Sequence, residues 1–254
     1  MKRVLVTGAN GQLGQAIKAA AASYPELSFI FEGKETLDVT NEKEVIGFFA
    51  KHKIDVCINT AAYTDVDKAE TEKEAAYLLN AIAPILLAEA CKENNAFLIH
   101  ISTDYVFDGN KGSAYTVYDT PNPINIYGAS KLAGEKSIAE VGGNYSIVRT
   151  SWLYSDYGNN FQTKILEKAK TAPYLEVISD LYGTPTYAPN LAVFLLNKIK
   201  RANQFQKTEH FSDGTTMSWY DLAKQLTEKE IRIKEVKTLE VKAKRPLNSS
   251  LNVK

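Results

Sequence analysis

The sequence predicts an α/β fold: a doubly wound parallel sheet followed by a smaller C-terminal lobe. Three observations predict it. Short apolar runs alternate with helix-length amphipathic stretches through the first two-thirds of the chain, a glycine triplet follows directly on the first apolar run, and the rhythm breaks near Trp152. Alternating strand–helix units imply right-handed crossovers, and so a parallel sheet with helices on both faces.

Each element has its own signal. Residues 3–7, 27–31, 56–59, 97–102 and 146–149 are short, mostly uncharged runs, suited to strands buried on both faces. Residues 12–22 are alanine-rich and stop near Pro25. Residues 42–51 follow Asn41, a good N-cap, with Glu44 at the third helical position. Residues 72–93 carry Leu, Ile and Ala at helical spacing. Beyond Trp152, residues 160–170 and 190–201 read as helices, 175–178 as a short strand, and 219–227 as a helix capped by Ser218. Residues 234–254 are basic and weakly periodic. The expected division is 1–151 for the main domain and 152–254 for the smaller lobe, with room for the chain to return to the main sheet.

Composition narrows the function classes. The 30 basic and 30 acidic residues cancel, which points away from nucleic acid and anionic membranes as partners. The apolar stretch 77–91 is interrupted by Asn80, Pro84 and Glu89 and falls short of the ~20 residues of a spanning helix. The apolar run behind Lys2 and Arg3 stops at Gly8, too short for a signal peptide. Cys57 and Cys91 have no second cysteine near them in sequence, and His52, His100 and His210 are scattered. That pattern suits small buried hydrophobes in a reducing compartment and no metal site. A cytoplasmic protein is expected.

The glycine triplet is Gly8-Ala9-Asn10-Gly11-Gln12-Leu13-Gly14, opening off a strand into a helix. The first glycine permits the tight turn, the second lets the backbone approach a pyrophosphate, and the third lets helix and strand pack closely. The N–H groups of the helix's first turn then face the phosphates. A Rossmann-like dinucleotide site is therefore expected, with NADPH or NADH as cofactor. Glu32, at the end of the second strand, stands where a carboxylate would bind the adenosine ribose, or is merely an exposed strand-end charge. It would favour NADH, while the neighbouring Lys34 offsets it. Asp38 and Val39 would reach the adenine edge, and Ala61 and Ala62 follow the third strand with little bulk.

Carbonyl reduction by a nicotinamide needs a proton donor at the developing alkoxide. Tyr127 and Lys131 lie four apart in Tyr-Gly-Ala-Ser-Lys, on one helix face. The lysine ammonium is expected to favour tyrosinate and lower the phenol pKa from about 10. With 14 tyrosines such a spacing arises by chance, and Tyr220–Lys224 repeats it. Context separates the two. Thr103 closes the fourth strand, where strand ends face the ligand crevice, whereas Tyr220 reads as part of a packed amphipathic helix.

Further segments run in order along the chain: Leu37 to Thr40, Asn59 to Ala62, Thr64 to Glu70, Ser102-Thr103-Asp104-Tyr105-Val106-Phe107-Asp108-Gly109, Tyr127 to Glu135, Arg149 to Tyr154, Gly158 to Phe161, Asp180 to Thr186 and Arg245 to Ser249. With the glycine loop they resemble the short-chain dehydrogenase/reductase superfamily, in its extended branch acting on nucleotide sugars, and within it the dTDP-4-dehydrorhamnose reductases. The resemblance implies NAD(P)H-dependent reduction of the C4 ketone of dTDP-4-dehydro-β-L-rhamnose to dTDP-L-rhamnose. It makes Tyr127 the proton donor, Lys131 a ligand of the nicotinamide ribose, and Thr103 the partner of the carbonyl oxygen. Gly11, Gln12, Leu13, Asp38, Val39, Ala61, Ala62 and Tyr63 fall at cofactor positions; Thr103, Asp104 and Trp152 fall at sugar positions. Trp152 suits an apolar wall against a 6-deoxysugar, or a core tryptophan. Arg245 suits the nucleotide diphosphate, or a solvated basic tail.

Two departures from the pattern carry expectations of their own. Members continue beyond the Asn-Ser motif, so a clipped or economised small lobe is expected. Some members bridge subunits through magnesium held by carboxylates where this chain has Gln15-Ala16 and Ala188-Pro189-Asn190, so a monomer or weak homodimer without that metal is expected. Two other functions stay open: reduction of a different 4-keto-6-deoxyhexose nucleotide, and a non-catalytic dinucleotide-binding subunit like the one that modulates methionine adenosyltransferase. Intact Thr103, Tyr127 and Lys131 weigh against the second.

Overall fold

The computed structural model describes residues 1–202, 204–227, 231–237 and 243–253. Part of the basic end read from the sequence, residues 238–242 and 254, lies outside the described residues. Strand β1 (Lys2–Thr7) runs into helix α1 (Gln12–Ala20), which tightens into a 3₁₀ turn, Ala21–Ser23, before β2 (Leu27–Glu32). Helix α2 (Glu42–Lys51) starts at Asn41, whose side chain accepts the Lys43 and Glu44 N–H groups. After β3 (Val56–Asn59) come α3 (Val66–Ala69), α4 (Lys73–Tyr77), a π turn (Leu78–Ile82) and α5 (Ala83–Glu93).

The sequence predicts one helix over 72–93, and the π turn interrupts its register. Pro84 has no N–H to return to Asn80, so the ladder re-registers there. The run Lys73–Glu93 is apolar and long enough to cross a membrane by length and composition, but half of it is buried inside the fold, where α5 packs against α2 and the later helix α6 (Ile126–Val141). It behaves as a core helix.

Strand β4 (Phe97–Thr103) ends in a 3₁₀ turn, Asp104–Val106, and β5 (Tyr145–Thr150) follows α6. Beyond lie β6 (Leu153–Tyr154), α7 (Phe161–Ala169), β7 (Leu175–Ile178), β8 (Tyr182–Gly183), β9 (Thr186–Tyr187), α8 (Ala188–Lys200), β10 (Thr208–Phe211), β11 (Met217–Ser218), α9 (Trp219–Leu226) and β12 (Ile233–Val236). The main sheet has the order β10-β5-β4-β3-β1-β2, every pair parallel. Strand β10 carries Thr208, Glu209 and His210 at its start, too polar to announce itself as a strand. It is an edge strand beside β5, where polar residues are tolerated.

Side chains alternate between two cores, as a doubly wound sheet requires. Val4, Val6, Val56 and Ile58 pack beneath α1 and α8, with Ile17, Leu191 and Leu195. Leu5, Cys57 and Leu98 face the other way, onto Val45, Phe49, Leu87 and Ile138. The two cysteines, distant in sequence, are neighbours in this second core. Both are free thiols, and hydrogen bonding with Cys57 together with burial raises the pKa of Cys91. A further cluster joins Ile165, Leu175, Val177 and Ala223 with Phe161 and Trp219, where β7 pairs with β12 and packs against the neighbouring helices α7 and α9.

Candidate active site

Strand order reverses between β1 and β3, and the carboxyl ends of strands at such a point form the ligand crevice of open α/β sheets. The glycine loop occupies it. Gly8 has φ +66°, and a Cβ there would sit 2.6 Å from the Ala61 nitrogen. A Cβ on Gly14 would sit 2.6 Å from Ala9 Cα, so the third glycine is what lets α1 lie against the loop. Gly11 is the N-cap of α1 and has no side chain to satisfy the first turn, leaving a cradle of N–H groups of the kind that holds an anion.

A cavity lies on each side of this loop, and the two share Asn10, Gly11, Thr60 and Ala62. One, of about 580 Å³, is lined by Gly8, Lys34, Asp38, Val39, Ala61, Ala62 and Tyr63. The other, of about 590 Å³, is lined by Gln12, Leu13, Thr103, Asp104, Tyr127, Lys131 and Trp152. A cleft of two chambers joined over a phosphate cradle fits a dinucleotide. Glu32 borders neither cavity; its backbone carbonyl accepts the Ala9 N–H at 3.0 Å, bracing the loop. Lys34, not Glu32, reaches the chamber wall. The Asp38 carboxylate is turned onto Thr40, accepting its N–H and hydroxyl at 2.9 and 2.7 Å, bonds that hold its pKa below the usual range. The Tyr63 hydroxyl donates to Glu72, which pushes the phenol up to about 12.

Thr103, at the end of β4, donates to the Asp104 carboxylate at 3.0 Å. Asp104 also accepts the Ser249 hydroxyl; burial nevertheless pushes its carboxyl up to about 7. Tyr127 enters from the first turn of α6, whose N-cap Asn125 accepts the Gly128 N–H. Its ring meets the half-buried Tyr105 edge-on, with centroids 5.9 Å apart. Lys131, one turn later, is 2 % exposed. Its Nζ donates to the Ile101 carbonyl at 2.6 Å and lies 3.2 Å from His100 Nε2.

The expectation that Lys131 lowers the Tyr127 pKa is corrected here. Burial pushes the phenol up to about 12, the neighbouring Asp104 adds to the rise, and the Thr103 hydroxyl works against it. The lysine is itself drawn down to about 8 by burial, and its hydrogen bonds serve β4. Desolvation disfavours the charged form of both groups.

Trp152 follows β5 in a left-handed conformation, φ +47°, costly for a bulky residue. It stacks on Trp219, and its indole lies against the Gly183 backbone, where no side chain would fit. Arg245 lines a smaller cavity with Tyr105, Lys164, Leu181 and Trp219, which adjoins the larger one through Tyr105 and Trp219. Its guanidinium donates to Asp67 at 2.8 Å and to the Ala243 carbonyl at 2.9 Å. Trp219 and His100 escape motif reading because contacts bring them in, not spacing, while Tyr105 lies in the Ser102 to Gly109 segment, whose pattern does not single it out. Asn160 and Phe161 line the cavity too, and the Gly158–Phe161 segment is the signal that could have found them.

A parallel sheet with a glycine cradle at its reversal point, and Thr103, Tyr127 and Lys131 at the adjoining strand end, defines the class: an NAD(P)-dependent oxidoreductase fold of the short-chain dehydrogenase/reductase kind. The chain belongs to the family described as the RmlD substrate binding domain, whose model matches residues 1–254. It is 34% identical over 268 residues to the dTDP-4-dehydrorhamnose reductase of Aggregatibacter actinomycetemcomitans, covering 100% of this chain and 91% of that protein. The crystal structure of dTDP-4-dehydrorhamnose reductase from Bacillus anthracis, in complex with NADP, superposes with a TM-score of 0.95 at 38% identity, covering 100% of this chain and 92% of that one. The crystal structure of a dTDP-4-dehydrorhamnose reductase from Clostridium acetobutylicum gives 0.93 at 39% identity, covering 98% of this chain and 90% of that one.

Proposed function

We propose that the protein reduces the C4 ketone of dTDP-4-dehydro-β-L-rhamnose to the alcohol of dTDP-L-rhamnose, using NADPH. The observation that carries this reading is the convergence of Thr103, Tyr127 and Lys131 in one cavity that adjoins the glycine cradle. The nicotinamide, when bound, supplies the hydride. Gly11, Gln12 and Leu13 hold the pyrophosphate, Asp38, Val39 and Ala61 to Tyr63 border the adenosine, and Lys131 holds the nicotinamide ribose. The Thr103 hydroxyl orients the ketone oxygen, and Tyr127, a phenol with its proton held firmly, delivers that proton to it. Trp152 walls the sugar ring, and Arg245 with Lys164 meets the diphosphate.

Lys34 at the adenosine chamber supports NADPH over NADH, since its ammonium suits a 2′-phosphate. The two free buried cysteines fit a reducing compartment, and the reading is of a cytoplasmic enzyme that works as a monomer or weak homodimer. The 1–151 and 152–254 division serves it, with cofactor contacts in the first part and Trp152 and Arg245 in the second. The test is oxidation of NADPH and of NADH with enzymatically made dTDP-4-keto-6-deoxy-L-mannose, the product identified by NMR. Formation of the C4 epimer rejects the product assignment, and no turnover with either cofactor rejects the substrate assignment.

A further inference from the structure

Four buried side chains form a hydrogen-bonded row across three neighbouring strands and one helix: Thr7 of β1, Asn59 of β3, His100 of β4 and Lys131 of α6. Its polarity is dictated from one end. Asn59 Oδ1 accepts the Ala61 backbone N–H at 3.1 Å and the Thr7 hydroxyl at 2.8 Å. A backbone N–H only donates, so the amide oxygen must face Ala61 and the NH₂ must face His100 Nδ1, 3.1 Å away. Nδ1 therefore accepts, and a neutral imidazole whose Nδ1 accepts carries its proton on Nε2. Nε2 lies 3.2 Å from Lys131 Nζ.

An ammonium has three donors and no lone pair, so an Nε2–H aimed at it sets donor against donor. The uncharged amine has the lone pair that Nε2–H needs, and still donates to the Ile101 carbonyl at 2.6 Å. A doubly protonated imidazolium offers no escape, because it would face donors at both nitrogens; its full burial opposes that form as well. We infer that His100 is a positioning residue that disfavours the Lys131 ammonium in the free protein, so that the lysine gives up its proton more readily, with a donor direction set by the Ala61 backbone and relayed by Asn59.

The other groups around Lys131 are compatible with this. Glu135, on the same helix, favours the ammonium, but its carboxylate is held by Arg149 of β5 at 2.6 and 2.9 Å and by Ser102 of β4 at 2.5 Å. Asp104, at the end of β4, has its carboxyl pushed up to about 7. The π turn packed on α6 contributes the neutral Asn80, which donates to Ser130. Glu70, after α3, is engaged at the start of the helix by the Ile126 N–H. The phenol of Tyr127 is held protonated.

The test is ¹⁵N and ¹³C NMR of the full chain without cofactor. His100 is expected to show a protonated Nε2 and a bare Nδ1 from about pH 6 to about pH 9. The Lys131 ¹³Cε resonance is expected to titrate about two units below an ordinary lysine. The opposite imidazole tautomer, or an ordinary lysine titration, overturns the inference. In Asn59→Asp the carboxylate accepts from Nδ1–H, Nε2 presents its lone pair, and the Lys131 midpoint is expected to rise by about one unit or more. A flipped tautomer with an unmoved lysine midpoint also overturns it. The wild-type spectrum decides the polarity even where the variant fails to fold, and it does so independently of any turnover assay, so failure of the reductase reading is separately visible.

Discussion

Trp152 lies on Trp219 with ring centroids 3.6 Å apart and planes 6° from parallel. One ring follows the end of β5 and the other opens α9, so the stack ties that helix to the main sheet beside the candidate sugar site. It also holds a residue whose backbone is strained at φ +47°. Trp219→Ala is expected to free Trp152, raising KM for the nucleotide sugar about tenfold with a smaller change in kcat, and costing about 1–3 kcal/mol of stability. Steady-state kinetics and urea unfolding check both; an unchanged KM removes Trp152 from the sugar site.

Tyr127→Phe deletes one oxygen and keeps the ring against Tyr105. Turnover is expected to fall by about 10²–10⁴-fold, while NADPH affinity, measured by quenching of protein fluorescence, stays within about twofold. Undiminished turnover would sink the assignment of Tyr127 as proton donor.

Asp104 gives a pH dependence whose sign follows from its raised carboxyl pKa. The protonated acid is favoured in the folded chain, so its stabilising contribution is complete below about pH 4 and is lost as pH rises toward about 7. Asp104→Asn is expected to flatten the fall in unfolding free energy between those limits, by an amount of order a few kcal/mol at most, measured by urea unfolding across that pH range. Parallel pH profiles for both proteins mean that the carboxyl titrates as in water.

Arg149 and Glu135 are buried partners on β5 and α6, joined by two hydrogen bonds. Arg149→Met leaves a buried carboxylate beside Lys131 and is expected to cost about 3–5 kcal/mol in urea unfolding. The double variant Arg149→Met with Glu135→Leu is expected to recover most of that loss; a second loss adding to the first denies the pair its coupling.

Lys34→Glu places a carboxylate at the adenosine chamber. The NADPH-to-NADH ratio of kcat/KM is expected to fall by about 10-fold or more, since each factor of ten needs only about 1.4 kcal/mol of repulsion at a 2′-phosphate. An unchanged ratio places the selecting residue elsewhere.

Much of the site was legible because local spacing carries it. A glycine triplet after an apolar strand encodes a turn, an approach and a helix start within seven residues, and Tyr127 and Lys131 share a face because a helix repeats every 3.6 residues. Thr103 was legible because the end of a parallel strand has a predictable position. Glu32 was harder: the same argument put it at the ribose, but whether a strand-end side chain turns into the crevice depends on the loop packed over it, and Lys34 lines the chamber instead. The expected lowering of the Tyr127 pKa failed for a related reason. Spacing places a cation near a phenol but says nothing of burial or of the Ile101 carbonyl and His100 that take up the lysine.

The sequence by itself determined the doubly wound sheet, the phosphate cradle and the Thr103, Tyr127 and Lys131 set, because each is written in short-range periodicity or in residues whose backbone chemistry admits few alternatives. Only the tertiary structure decided the Trp152–Trp219 stack, the placement of Arg245 against Asp67, the meeting of Cys57 with Cys91, and the row from Thr7 to Lys131. Those depend on which strands become neighbours and how deeply each group is buried. Neighbourhood and dielectric are properties of the folded packing, and they govern contact and charge state where the chain's local order is silent.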